Sequence, residues 1–168
     1  FQMEKAKVVD VVDPSGVVFS QALSSPEGEV RLNLNGAGEK QTLAANFLKG
    51  QEGAGVQHIA FATDDIFETS QKLQKFGFHA LQIPANYYDD LVSKFSLEKE
   101  FVAQLKQGNI LYDRDGTGEY FQVYSIPIFQ GFFFEVVERR RGYQGYGAQN
   151  ASIRLAAQTR YLKTQEQS

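Results

Sequence analysis

The chain contains no cysteine and two histidines, His58 and His79. A thiolate nucleophile, a disulfide framework, Cys-ligated zinc and a three-histidine site within the chain are all excluded. Metal or acid–base chemistry must therefore rest on one or two imidazoles together with carboxylates. His58 lies in Gly55-Val56-Gln57-His58-Ile59-Ala60-Phe61-Ala62, where alternation puts it on one face with Val56, Ala60 and Ala62. These small neighbours leave room for an imidazole, either a core group bonded to a backbone carbonyl or a ligand. Glu135 sits inside the apolar run Phe132-Phe133-Phe134-Glu135-Val136-Val137. An unpaired carboxylate there is costly to bury, so it needs a metal, a hydrogen-bonding partner or an arginine such as Arg31 or Arg114. Glu138 and Arg139, at the strand end, are expected to be solvated. One histidine and one carboxylate on separate strands supply two thirds of a 2-His-1-carboxylate triad, which holds non-haem Fe(II) with open positions. His79 follows Gly77-Phe78 at a strand start and is expected at the rim rather than on the metal.

The positioning elements follow from periodicity and turn residues. Residues 7–12, 17–23 and 29–35 read as a meander, with Asp13-Pro14-Ser15-Gly16 and Ser25-Pro26-Glu27-Gly28 as its turns. In the third strand Val30, Leu32 and Leu34 alternate with Arg31, Asn33 and Asn35, which predicts one buried face. Residues 36–55 read as a polar linker with a short helix over 43–48. A strand over 55–62 then leads through Thr63-Asp64-Asp65, an N-cap signal, into a helix with an apolar face of Ile66, Phe67, Leu73 and Phe76. A strand over 78–83 is stopped by Pro84, and 86–106 reads as helical. Strands over 109–112, 119–126 and 131–138 come next, with Asp113-Arg114-Asp115-Gly116 as a turn. Gly142-Tyr143-Gln144-Gly145-Tyr146-Gly147 is a hinge or lid candidate, and a helix over 151–162 has Asn150 as its expected cap.

This order predicts an α+β fold of two βαβββ modules. Residues 1–50 form a first module, with linker, that lacks its opening strand and helix. Residues 51–140 form the second module with a helical insertion, and residues 141–168 a glycine-tyrosine loop and final helix. The missing strand and helix, and a third ligand, are expected upstream of Phe1, which is not an initiator methionine. Around the His58–Glu135 pair the pattern collects polar and aromatic side chains. Tyr120, Gln122 and Tyr124 share one strand face, Phe133 and Val137 share the face of Glu135, and Ser20 and Asn35 lie on the first meander. Amides and hydroxyls beside aromatic rings suit a ring-bearing, oxygen-rich ligand.

Charge and composition narrow the partners. Seventeen basic against 20 acidic residues, a net charge of −3, advertise no surface for nucleic acid or an anionic membrane. The basic cluster Arg139-Arg140-Arg141 is expected to be a solvated strand end. No run reaches the roughly twenty apolar residues of a membrane span, and no signal-peptide pattern opens the chain. The absence of cysteine is consistent with a reducing cytoplasm. No GxGxxG loop, HExxH or CxxC motif occurs.

Several segments, in order along the chain, resemble 4-hydroxyphenylpyruvate dioxygenase. They are Gly55-Val56-Gln57-His58-Ile59-Ala60-Phe61-Ala62-Thr63-Asp64-Asp65-Ile66, Pro84 to Tyr88, Ile110-Leu111-Tyr112-Asp113-Arg114-Asp115, Phe121-Gln122-Val123-Tyr124, Phe133-Phe134-Glu135-Val136-Val137-Glu138-Arg139 and Gly145-Tyr146-Gly147. The resemblance implies the vicinal-oxygen-chelate fold and an iron held by two histidines and a glutamate. His58 matches the second histidine ligand and Glu135 the carboxylate. Gln122, Phe133, Tyr124, Tyr146 and, more loosely, Ser20, Asn35 and Gln57 match substrate-pocket positions. Tyr124 and Tyr146 stand where that family usually has phenylalanine. Asp13-Pro14-Ser15-Gly16-Val17-Val18 and the ending around Arg154-Leu155-Ala156-Ala157-Gln158 are more similar to the dioxygenase-like domain of bacterial fusion proteins. In those fusions an N-terminal sugar-isomerase-like barrel dehydrates 3-dehydroshikimate.

The resemblance implies a dioxygenase-type domain acting on an aromatic 2-oxo acid with O2 and Fe(II), with Mn, Co or Mg as alternative metals. It further implies a homo-oligomer with a covalently fused upstream domain active in aromatic-compound catabolism. The rival reading is a non-catalytic module that binds a metal or small ligand and supports a neighbouring dehydratase.

Overall fold

A computed structural model describes residues 2–166. They fall into two compact units, Phe1–Gly55 and Val56–Ser168. No described helix is long and apolar enough to cross a membrane.

The first unit is an antiparallel sheet with one helix. β1 (Glu4–Lys5) and β2 (Val9–Asp13) pair successively along one edge of β3 (Gly16–Ser24), and β4 (Arg31–Ala37) pairs along the other. The hairpin between β2 and β3 needs only Pro14 and Ser15, because Gly16 takes φ +142°. Asp13 is buried at this turn and accepts from the backbone N–H of Ser15 (2.8 Å) and of Leu43 (3.1 Å), the first residue of α1 (Leu43–Gly50). Thr42 caps the same helix by accepting from Ala45 N. The expected one-sided burial of β4 does not occur. Val30, Leu32 and Leu34 are each about half exposed, because inward-facing packing of that strand is not supplied within the described residues.

The second unit carries the candidate site. β5 (His58–Ala62) leads into α2 (Ile66–Lys75), whose N-cap Asp65 accepts from Glu68 N. Two helices follow, α3 (Ala85–Phe95) and α4 (Lys99–Gln107), then β6 (Leu111–Asp115), β7 (Gly118–Tyr124), β8 (Phe133–Arg140) and α5 (Ala148–Glu166). The sheet order β5-β8-β7-β6 has β5 parallel to β8 and the other pairs antiparallel. This is a βαβββ module with a two-helix insertion.

Four expectations are corrected. Residues 78–83 form no strand, only an isolated bridge from Ala80 to Ser125, since the segment exchanges few backbone bonds before Pro84 ends it. The single helix over 86–106 is two helices, broken where Ser96 enters the left-handed region at φ +52°. Phe76 is 83 % exposed and lies off the apolar face of α2. The turn expected over Asp113 to Gly116 falls later, because β6 runs on through Asp115 and pairs Asp115 with Gly118.

The core of this unit is aromatic. Phe67, Phe101, Tyr112 and Phe121 meet edge-to-face with centroids 5.2–6.2 Å apart, between the helices and one face of the sheet. Offset and edge-to-face ring pairs are the favoured geometries for such clusters. The cluster fixes the sheet whose β5, β7 and β8 strands present the site residues.

Candidate metal centre

His58 opens β5 and Glu135 lies centrally on β8. The parallel register sets His58 opposite Phe133 and Ala60 opposite Glu135. The His58 ring stacks on Phe133, with centroids 4.9 Å apart and planes 6° from parallel. Its Nε2 lies 3.6 Å from Glu135 Oε2. Burial, reinforced by the Arg154 charge, pulls the His58 pKa down to about 4, so the ring is neutral at pH 7. The pair is therefore not an ion pair despite its distance. A neutral imidazole is the form that binds a metal.

Glu135 is 5 % exposed, and burial raises its pKa against the opposing pull of hydrogen bonds from Gln122 and Tyr124 and the charge of Arg154. The salt bridge to Arg114 considered as an alternative is not formed. Arg114 instead donates to Phe95 O (3.2 Å) and covers the Phe95 ring. Gln122 Nε2 donates to Glu135 Oε1 (2.8 Å) and to Tyr124 Oη (2.6 Å). One carboxylate oxygen is thus fixed by an amide, while the other faces the imidazole.

Behind Gln122 runs a buried chain of hydrogen bonds. Asn150 Nδ2 donates to Gln122 Oε1 (2.8 Å), Tyr87 Oη donates to Asn150 Oδ1 (3.0 Å), and Tyr112 N donates to Tyr87 Oη (2.8 Å). Asn150 thus departs from its expected role as a helix cap. It lies inside the first turn of α5 and spends its amide on the sheet, because a fully buried Gln122 needs a partner for its carbonyl. Neither Asn150 nor Tyr87 was singled out as a site residue by the sequence. The signal available was Asn150 beside a glycine-rich turn, which reads equally as a cap.

The structure brings His58, Glu135, Gln122, Tyr124 and Phe133 together in one unit. Tyr124 packs edge-on against Phe133 at 5.9 Å. Gln57 precedes β5 and contributes its backbone carbonyl to Phe133 N (3.1 Å). Tyr146 is half-buried in the loop before α5. Ser20 and Asn35 face each other across β3 and β4 in the first unit, Ser20 buried and Asn35 exposed. His79 is exposed and uses its backbone carbonyl to accept from Ile126 N.

The strand end is less solvated than its composition predicts. Glu138 is 4 % exposed and accepts from Ile66 N (2.9 Å) and from Arg140, holding the start of α2 against β8. Arg139 covers the Tyr120 ring and donates to Gly145 O, and Arg140 lies over Phe121. Of the three arginines, only Arg141 is exposed. Arg154, absent from the sequence-predicted site, has its guanidinium carbon 5.0 Å from the Phe133 centroid and 5.7 Å from that of Tyr124.

Among the described residues no group of three or more His, Cys, Asp or Glu side chains is placed to hold a metal. The neutral His58 nitrogen and the Glu135 Oε2 nevertheless make a nitrogen–oxygen donor pair that suits a divalent transition metal.

Residues 3–117 match the Glyoxalase/Bleomycin resistance protein/Dioxygenase superfamily. The chain is 47 % identical over 146 residues to a 3-dehydroshikimate dehydratase of Pseudomonas aeruginosa, covering 86 % of the chain and 23 % of the relative. It is 31 % identical to the 4-hydroxyphenylpyruvate dioxygenase of the same organism, covering 79 % of the chain and 38 % of that enzyme. It therefore spans about a quarter to two fifths of these curated relatives. Among solved structures, a xylose isomerase-like TIM barrel/4-hydroxyphenylpyruvate dioxygenase fusion protein superposes with a TM-score of 0.75 at 44 % identity, over 92 % of this chain and 25 % of that one. A mutant 4-hydroxymandelate synthase from Streptomyces coelicolor gives 0.79 at 25 % identity, over 95 % and 47 %. With its α+β vicinal-oxygen-chelate fold, the chain belongs to the glyoxalase/bleomycin resistance protein/dioxygenase superfamily, within which it is similar to 4-hydroxyphenylpyruvate dioxygenase and to 3-dehydroshikimate dehydratase.

Proposed function

We propose that His58 and Glu135 hold a divalent metal, Fe(II) in the native protein, in a dioxygenase-type domain acting on an aromatic 2-oxo acid. The observation that carries this reading is the neutral, half-buried imidazole facing a buried carboxylate at 3.6 Å, with the second carboxylate oxygen fixed by Gln122. When bound, the metal would supply chelation of the 2-oxo acid through its carboxylate and keto oxygens and activation of O2 for oxidative decarboxylation.

The chain's own residues do the rest. Phe133 fixes the plane of the His58 ring by stacking, and Gln122 sets the rotation of the Glu135 carboxylate. Tyr124 accepts from the same Gln122 amide and packs its ring edge-on against Phe133. Such supporting contacts orient ligands and tune the affinity of a metal site. Tyr146, Gln57, Ser20 and Asn35 are proposed as further substrate contacts by their match to the family pattern.

The partial coverage of the dehydratase relatives and the fused architecture of the structural neighbour support a domain covalently joined to a 3-dehydroshikimate dehydratase; a homo-oligomeric protein of aromatic catabolism completes the proposal. Oxygen consumption by the intact protein with Fe(II) and 4-hydroxyphenylpyruvate tests the activity. Uptake that disappears in Glu135→Ala, together with site-bound metal, is the expected result. Absence of uptake beside intact dehydration would overturn the dioxygenase reading and leave an accessory module.

A further inference from the structure

We propose that Arg154 is a specificity-determining residue that selects aromatic 2-oxo acids bearing a second carboxylate on the ring. The inference rests on the metal site at His58 and Glu135 and names the substrate class of that site.

Arg154 projects from α5 onto the aromatic pair beside the two donors. Its guanidinium carbon stands 5.0 Å from the Phe133 centroid and 5.7 Å from that of Tyr124, and Phe133 is itself stacked on His58. The one hydrogen bond described for its side chain goes to the neutral amide of Gln158, 2.6 Å away on the next turn of the same helix. It forms no hydrogen bond to Glu135, whose amide partner is Gln122. Arg139, which also lends its positive field to Glu135, is likewise bonded to neutral groups, Gly145 O and Tyr120 Oη.

Charge balance then points to the ligand. A divalent metal with Arg154 and Arg139 brings four positive charges, against one negative charge on Glu135. A 2-oxo acid with a single carboxylate leaves two positive charges in excess, whereas a dianion leaves one. The first carboxylate and the keto oxygen would be committed to chelation, so the second belongs on the ring, on the side where Arg154 covers Phe133 and Tyr124. A guanidinium is suited to this task because its planar fork takes a carboxylate through two parallel hydrogen bonds while its face remains on an aromatic ring.

The test uses the intact protein loaded with Co(II) under exclusion of oxygen. Binding of 4-hydroxyphenylpyruvate and of 4-carboxyphenylpyruvate is followed by calorimetry and by the visible cobalt bands. We expect the wild type to bind the ring carboxylate at least about tenfold more tightly, the scale of one charge-assisted hydrogen-bonded pair. Arg154→Leu should abolish that preference, weakening 4-carboxyphenylpyruvate by at least about tenfold more than 4-hydroxyphenylpyruvate, and Arg154→Lys should keep part of it. If Arg154→Leu does not yield folded protein, Arg154→Gln carries the same comparison. Equal wild-type affinities for the two acids, or an equal weakening of both in the variant, would overturn the role of Arg154 and leave the metal site standing. Failure of the wild type to bind Co(II), or unchanged binding in Glu135→Ala, removes the metal site and this inference with it.

Discussion

At the scale of single residues, the site is a contest between burial and charge. Burial disfavours the protonated form of His58 and the ionised form of Glu135, lowering the one pKa and raising the other. The consequences for pH have opposite signs. The folded pKa of His58, about 4, lies below its ordinary 6.5, so stability contributed by the neutral ring is present above pH 6.5 and is lost as pH falls through about 4. The loss amounts to about 3 kcal/mol. Glu135 has a raised folded pKa, so its contribution is present at low pH and is lost as pH rises through that value. Denaturant unfolding of the metal-free protein at pH 7 and pH 4 should therefore show a larger acid loss in the wild type than in His58→Gln. Metal affinity should fall as pH drops through the raised pKa of Glu135, by about tenfold per unit below it, because that proton must leave before the carboxylate can bind. A Co(II) titration across pH 4 to 7 measures it. His58 and Glu135 were legible in the sequence because a lone imidazole among small residues and a carboxylate inside an apolar strand are each conspicuous. Arg154 was not legible, since a charged residue on a terminal helix ordinarily reads as solvated.

At the scale of elements, one amide and one glycine at its start help fasten α5 to the sheet, beside the Arg154 contacts. Asn150 links the helix to Gln122, and through Tyr87 to the backbone of β6. Asn150→Ala leaves the Gln122 carbonyl without that partner in a buried place and should cost about 1–3 kcal/mol. The same change should loosen the carboxylate of Glu135, so metal affinity and thermal stability fall together while helix content by circular dichroism is retained. Gly147 sits just before α5 at φ +66°, and a Cβ there would collide with Gln122 Oε1 and the Tyr120 ring. Gly147→Ala combines a strained backbone with a steric clash and should destabilise by more than Asn150→Ala, measured by the same unfolding curves. The glycine-tyrosine segment was readable as a hinge. That one of its glycines is required by close approach to Gln122 depends on residues 25 positions apart in the chain being neighbours in space. Helix starts at Leu43 and Ile66 were readable because Thr42 and Asp65 cap them locally. The split between α3 and α4 was not, because the apolar spacing continues across Ser96.

At the scale of the whole molecule, the second unit supports its site on an aromatic core, and damage to that core should reach the site without touching a ligand. Phe121 is fully buried among Phe67, Phe101 and Tyr112 and neighbours Gln122 in β7. Phe121→Ala should cost about 3–5 kcal/mol, seen as a lowered unfolding midpoint, with metal affinity falling because β7 loses its fixed position. By itself the sequence determined the βαβββ pattern, the pairing of His58 with Glu135 as candidate ligands and the family they belong to. The pattern and the candidate pair follow from side-chain periodicity, turn chemistry and residue type, all of which are local, while the family follows from the resemblance of the ordered motifs. The tertiary structure alone decided that Asn150 and Tyr87 hold Gln122, that Glu138 is buried against α2, and that Arg154 stands over the rings beside the ligand pair. Each of these depends on which strand face a distant helix meets, and no local pattern carries that information.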